Sequence, residues 1–280
     1  LIAVIGASGR SGAALCRALR ARGMPFVPVV RDAARWAATG LPGAPRIAEL
    51  RDAAALRAAL DGAEQVVNCA HARHAPAVLA AAPADASFVF LGSTRRYSRW
   101  PDDHGDGVRA GEAAFLGSGR RGVMLHPTMI YGAEGEDNVQ RLAALLKRLP
   151  VAPLPGGGRA LVQPIHQDDL TACILAALER GWAAPEAIVV AGPEPLPYRD
   201  FLATVARAAG LSPPRIVPIP GPLLMAAAPL TRVLPRMPVI RVAELRRLLE
   251  DKSFDVAPMR ERLGVVGRPL ERGLVQTFAA

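Results

Sequence analysis

Residues 1–12 read Leu1-Ile2-Ala3-Val4-Ile5-Gly6-Ala7-Ser8-Gly9-Arg10-Ser11-Gly12, an apolar run followed by glycines at three-residue spacing. A short continuous apolar run is the pattern of a strand covered on both faces. Downstream, Leu15, Cys16 and Leu19 form one stripe of a helix predicted over Ala13–Arg22. Between strand and helix, Gly6 permits a tight turn, Gly9 lets backbone approach a ligand and Gly12 allows close helix–strand packing. A helix N-terminus presents unpaired N–H groups and a partial positive charge, which suits an anion such as a pyrophosphate. Gly6, Ser8, Gly9, Arg10, Ser11 and Gly12 are therefore candidate dinucleotide-binding residues.

The same alternation continues outward. Strands are predicted at Phe26–Val30, Arg46–Ala48, Gln65–Cys69, Ser87–Leu91 and Gly122–Leu125, with a helix at Ala53–Leu60. This spacing predicts an α/β fold, a Rossmann-type doubly wound parallel sheet. Residues 1–150 are assigned to the dinucleotide-binding domain. Residues 151–280 are assigned mostly to a smaller substrate-side lid, with 164–192 returning to the sheet through a helix at Asp169–Arg180 and a strand at Ala187–Val190. Pro150, Pro153, Pro155 and Gly156–Gly158 read as a loop, and 213–238 as short helices and irregular turns. Arg241–Glu250 is amphipathic, and Pro258–Leu263 and Leu270–Phe278 read as closing helices.

With 280 residues, 51% hydrophobic and 21% charged, the chain can bury a sizeable core and is neither disordered nor collagen-like. The formal net charge of +9 comes from 34 Lys+Arg, of which only Lys147 and Lys252 are lysine. Arginine is spread along the chain and aromatics are 5%, so no nucleic-acid patch is indicated. Cys16, Cys69 and Cys173 are far apart, without metal-ligand spacing, and fit a reducing, cytoplasmic compartment. No metal site is expected. No apolar run reaches the length of a membrane span. The chain opens on a strand-like segment, with no signal peptide visible.

After the second strand, Arg31 is placed to meet the 2′-phosphate of NADP, while Asp32 is placed to N-cap the next helix. NADP is the favoured cofactor, with NAD as the alternative. The motifs together resemble the extended and atypical short-chain dehydrogenase/reductase superfamily, including its NmrA-like and epimerase/dehydratase-like members. The resemblance rests on Gly6, Gly9 and Gly12; on Glu49-Leu50-Arg51-Asp52; on Asn68-Cys69-Ala70; on Leu125-His126-Pro127-Thr128-Met129-Ile130-Tyr131-Gly132; and on Ile165-His166-Gln167-Asp168-Asp169. It implies that Glu49 and Leu50 lie beside the adenine, that Asn68 and Ala70 end the fourth strand at the cofactor, and that Pro127, Thr128 and Met129 line the nicotinamide side.

Two departures bear on activity. Catalysis in the superfamily uses a Tyr-x-x-x-Lys pair, yet Tyr97, Tyr131 and Tyr198 are followed four residues later by Pro101, Gly135 and Leu202. The positions corresponding to the pair fall near His104 and Val108. Sugar-nucleotide epimerases carry an arginine where this chain has Val162, which makes that substrate class the least favoured. Ser93, Tyr97 and Tyr131 are the candidate catalytic residues, Ser93 also reading as a turn cap and the two tyrosines as packed aromatics. His104 and His126 could serve as acids near neutral pH. Asp168 or Asp169 reads as a helix N-cap, and Asp102–Asp103 as a solvated pair. The expected function is an NADP-dependent oxidoreductase acting on a small molecule. The alternative is a non-catalytic NADP-sensing protein with a regulatory protein partner.

Overall fold

The computed structural model describes residues 1–100, 102–132, 138–149, 151–227 and 246–279. Seven strands form one parallel sheet: β1 (Ile2–Ile5), β2 (Phe26–Val30), β3 (Arg46–Ile47), β4 (Gln65–Asn68), β5 (Ser87–Leu91), β6 (Gly122–Pro127) and a late-returning strand, Pro185–Val190. Their order is β3-β2-β1-β4-β5-β6, with Pro185–Val190 outside β6. Every neighbouring pair is parallel. The strand order reverses between β1 and β4, which opens a crevice at their carboxyl ends.

Helices cover both faces. The intervening helices are α1 (Arg10–Ala21), α2 (Ala33–Ala37), α3 (Ala53–Leu60), α4 (Ala75–Ala81), α5 (Asp103–Gly117), α6 (Asn138–Arg148) and α7 (Gln167–Glu179). Leu15, Cys16 and Leu19 of α1 share one core with Leu170, Cys173 and Ile174 of α7. On the other face, Leu56, Val78 and Phe115 pack beneath Phe88 and Phe90. All four β1 residues and all six of β6, His126 included, are buried, as strands covered on both faces require.

Pro28 sits inside β2 without breaking it. Val29 O accepts from Gly6 N on the β1 side, and Val30 O accepts from Ala48 N on the β3 side. Pro28 therefore faces the β3 side, where pairing starts only at Val29↔Arg46, so no ladder bond is lost.

Beyond β6 come β7 (Ile130–Tyr131), β8 (Val151–Pro155), β9 (Leu161–Val162) and β10 (Ile165–His166). The returning strand is β11 (Pro185–Val190), followed by β12 (Leu196–Pro197) and β13 (Arg215–Ile219). The remaining helices are α8 (Tyr198–Ala208), α9 (Gly221–Ala227), α10 (Ala257–Leu263) and α11 (Leu270–Ala279). Val151–Pro155 corrects its reading as loop: it pairs in parallel with β13, Pro153 opposite Val217. Among the described residues that sheet has two strands, so each proline can direct its donor-free nitrogen to an open edge. The same pairing replaces the irregular turns expected at 215–219, while 228–238 and 241–245 lie outside the described residues. α1 starts at Arg10, three residues before the predicted start, because Gly9 serves as its N-cap.

A small third core ties this region together, with Val139, Ala143, Leu154, Phe201 and Leu274 packed around Tyr131. Gly111 of α5 touches the turn before α4 so closely that a Cβ would overlap the Ala72 carbonyl. Helix propensity alone predicts that Gly111→Ala gains about 1 kcal/mol. The contact instead predicts a net loss of about 1–3 kcal/mol, measured by urea unfolding.

Candidate active site

Two cavities open at the carboxyl edge of the sheet. The smaller, about 200 Å³, lies at the crevice and is lined by Gly6, Ser8, Arg31, Asp32, Arg35, Ala48, Glu49, Leu50, Ala70 and His74. Its base is the glycine loop. Gly6 adopts φ +73°, and a Cβ there would meet Ala70 N at 3.0 Å. Gly12 lies against the Gly6 carbonyl, where any Cβ would overlap it. Gly9 N donates to Gly6 O at 2.9 Å, closing the turn into α1. No side chain caps α1 and no acid occupies its first turn, so its leading N–H groups and positive end remain available to an anion. A glycine cradle, an uncapped helix start and basic residues on the rim together fit a dinucleotide phosphate.

The cofactor candidates divide by role. Gly6, Ser8, Arg31, Glu49, Leu50 and Ala70 line this cleft. Gly9, Arg10, Ser11 and Gly12 form the α1 start, with Ser11 Oγ donating to Gln167 Oε1 of α7 at 3.2 Å. Asn68 is fully buried and its Oδ1 accepts from Ala70 N at 3.1 Å, holding the β4 end against Gly6. Arg31 is exposed, with Nε 4.0 Å from Glu49 Oε2. Asp32 caps α2, accepting from Ala34 N and Arg35 N through Oδ1. Ala48 and His74 were not among the cofactor candidates. His74 is invisible to a local motif search because it reaches the cleft from the segment after β4.

The larger cavity, about 1110 Å³, adjoins the ends of β5 and β6 and brings Ser93, Tyr97, Thr128 and Met129 together. Pro127 is tied to it from behind: Thr94 Oγ1 donates to Pro127 O at 3.2 Å. Ser93 Oγ accepts from Arg95 N at 3.2 Å, so the serine does cap its turn. The Thr128 hydroxyl is buried and meets no partner among the described residues. Tyr97 lies four residues beyond Ser93, its ring 4.6 Å from the Arg96 guanidinium carbon and 5.7 Å from Phe254.

Tyr131 is placed elsewhere. It is 1% exposed, its hydroxyl sits against Gly273, and it lines neither cavity. Burial also pushes its phenol pKa well above the ordinary 10. The geometry therefore makes it a core residue and removes it from the catalytic candidates. His104 is bonded to His71, Nε2 of His71 to Nδ1 of His104 at 3.1 Å. Burial and neighbouring arginines hold His104 below its ordinary 6.5, and His71 is lowered to about 4, chiefly by burial. Such a pair is neutral at pH 7 and supplies no ready acid. Val108 is core. Asp102, read as solvated, instead caps α5 through Gly105 N at 2.7 Å and pairs with Arg95. At α7 the cap is His166, accepting from Asp168 N, while Asp168 and Asp169 grip Arg268.

Behind Ser93 lies a cluster assembled from distant segments. The His126 ring is fully buried; Nδ1 accepts from Ser93 N at 3.2 Å, which leaves the hydrogen on Nε2. That nitrogen lies 3.3 Å from Glu112 Oε2, and Glu112 also pairs with Arg96. His126 therefore positions the Ser93 loop and does not reach the cavity itself. Among the described residues, no group of three His, Cys, Asp or Glu could hold a metal. No described helix is long and apolar enough to cross a membrane.

Comparison with known proteins agrees with this architecture. Residues 2–97 match the family model "NAD dependent epimerase/dehydratase family". A Mycobacterium tuberculosis (strain ATCC 25618 / H37Rv) protein described as uncharacterized is 28% identical over 274 residues, which cover 94% of this chain. The chain spans only 28% of that relative's length. The NADPH-dependent quinone oxidoreductase of Escherichia coli, complexed with NADPH, superposes with TM-score 0.76 at 19% identity, covering 99% of this chain and 100% of the other. MoeE5 in complex with UDP-glucose and NAD superposes with TM-score 0.73 at 17% identity, covering 99% and 97%. These structures share the fold.

Removing the Glu112 charge leaves Arg96 and His126 without their common partner. Glu112→Gln is expected to cost about 3 kcal/mol in urea unfolding at pH 7. Asp106→Asn, which breaks the exposed pair with Arg109, should cost less than about 1 kcal/mol.

Proposed function

Starting from a Rossmann chain whose residues 2–97 match the NAD dependent epimerase/dehydratase family, we propose that the protein is an NADP-dependent oxidoreductase of atypical short-chain type. The observation that carries this reading is the glycine-lined cleft at the sheet's crossover, with Arg31 and Arg35 on its rim. Arg31 and Arg35 would take the 2′-phosphate, the α1 N-terminus the pyrophosphate, and Glu49 and Leu50 the adenine. When bound, the cofactor supplies a hydride at the nicotinamide, which Pro127, Thr128 and Met129 would flank. Ser93 and Tyr97 would then face a substrate in the larger cavity, their hydroxyls orienting the atom that accepts a proton. The substrate is a small organic molecule.

The missing Tyr-x-x-x-Lys pair favours a second reading, an NADP-sensing protein that turns nothing over and acts through a protein partner. Turnover separates the two. Steady NADPH loss at 340 nm against a panel of carbonyls, enones and quinones is expected for the enzyme. No loss with any of them, alongside tight NADPH binding, would leave the sensor reading standing.

Cofactor choice is tested directly by thermal shift. Charge-assisted bonds to a 2′-phosphate are worth about 1.5–3 kcal/mol, equivalent to about tenfold or more in affinity. NADPH should raise the melting temperature more than NADH at equal concentration. Arg31→Ala should narrow that gap, and equal shifts in the parent protein would overturn the NADP assignment.

A further inference from the structure

Taking the larger cavity as the substrate site of that reading, we infer that it binds a bulky, uncharged carbonyl compound with an apolar body, and not a nucleotide sugar. The cavity lining combines hydroxyl-bearing residues with an apolar wall. Thr128 is 8% exposed, its Oγ1 is buried without a partner among the described residues, and it lines the cavity. Ser93 Oγ accepts one bond, from Arg95 N, and its own hydrogen has no acceptor among the described bonds. The Thr94–Pro127 bond holds the two loops side by side, and Ser93 and Thr128 both line the cavity, so their hydroxyls would be the donors offered to the carbonyl oxygen of a seated ligand.

One stretch of the wall is built from leucines. Leu142, Leu145, Leu146 and Leu149 fall at one-face helical spacing along and just beyond α6, and all four line the cavity. At about 1110 Å³ the space accommodates a large ligand, and a wall of this kind recovers free energy by burying apolar surface.

Most of the charge on the walls is engaged inside the protein. Arg95 pairs with Asp102, which also lies 3.9 Å from Arg247. Glu250 accepts from Ser98 Oγ and from Arg99 N, and Asp251 accepts from Leu161 N. Lys252 Nζ donates to Arg247 O at 2.6 Å, and burial lowers its pKa. The exception is Arg99, which lines the cavity with an exposed side chain. Val162, 7% exposed, adds apolar surface to the same wall. A diphosphate neutralised by Arg95 would have to break its pair with Asp102, and one neutralised by Lys252 would have to draw it from the Arg247 carbonyl, whereas a neutral carbonyl compound needs neither exchange.

The test measures binding by calorimetry on the full chain, with and without saturating NADP⁺, using 2-acetonaphthone and UDP-glucose as probes. The expected result is a Kd for 2-acetonaphthone at least about tenfold below that for UDP-glucose. Thr128→Val, which keeps the shape and removes the hydroxyl, should weaken 2-acetonaphthone severalfold and leave 2-ethylnaphthalene unchanged. Leu145→Asp should weaken both naphthalenes about tenfold while preserving NADPH binding. Tighter binding of UDP-glucose overturns the inference, as does a Thr128→Val effect that is the same for both naphthalenes. If NADPH fails to bind but the probe order holds, the cofactor reading falls and the cavity assignment stands. The reverse outcome removes this inference alone.

Discussion

The contact between Gly12 and the Gly6 carbonyl sets the geometry on which the cofactor cleft depends. No side chain can be inserted at Gly12 without overlapping that carbonyl, so α1 starts directly on the end of β1. Gly6 N donates to Val29 O at 3.0 Å, fixing the turn to β2, and β2 in turn delivers Arg31 to the rim two residues later. Asn68 holds the opposite wall through Ala70 N. The cleft is therefore made mostly of backbone, and its side-chain chemistry is confined to the rim. An uncapped helix start in such a setting trades some helix stability for an exposed positive end.

The arginine-rich composition has a structural side that a charge count does not reveal. Arg46 donates to Ala59 O and Asp61 O at the end of α3, and Arg120 to Leu79 O, Pro83 O and Ala86 O around the end of α4. Arg180 reaches Arg262 O at the end of α10. Terminal helix carbonyls lack partners within their own helix, and a forked guanidinium can satisfy several at once where an ammonium offers a single point charge. Part of the +9 charge is thus employed in closing helix ends.

Local pattern explains which parts of the molecule were legible. The sheet strands from β1 to β6 and helix α3 follow from apolar periods a few residues long, and Asp32 announces its capping role by position. β8 and β13 were not legible, because they are proline-bearing and pair across about sixty residues of chain. α6 carried a readable signal in the spacing of Leu142, Leu145, Leu146 and Leu149, but the neighbouring prolines and glycines obscured it. The Glu112–His126–Arg96 cluster is long-range by nature: no spacing in the sequence announces that α5 and β6 bring a carboxylate and an imidazole together. Tyr131 shows the converse. Its motif is local and readable, whereas the packing of Gly273 against its hydroxyl is not.

The same cluster bears on how a site without a catalytic lysine is organised. Glu112 faces both Arg96 and His126, and His126 Nδ1 is committed to Ser93 N. The cluster therefore adds rigidity beneath the Ser93 loop. Arg96 nevertheless lies over the Tyr97 ring, with the guanidinium carbon 4.6 Å from the centroid. A cation so placed attracts the ring face and favours this orientation of the half-exposed phenol. Ser93 is fixed by His126, Tyr97 by Arg96, and both supports converge on Glu112. A single buried carboxylate thereby supports two of the hydroxyl-bearing residues of the site, Ser93 and Tyr97, from behind.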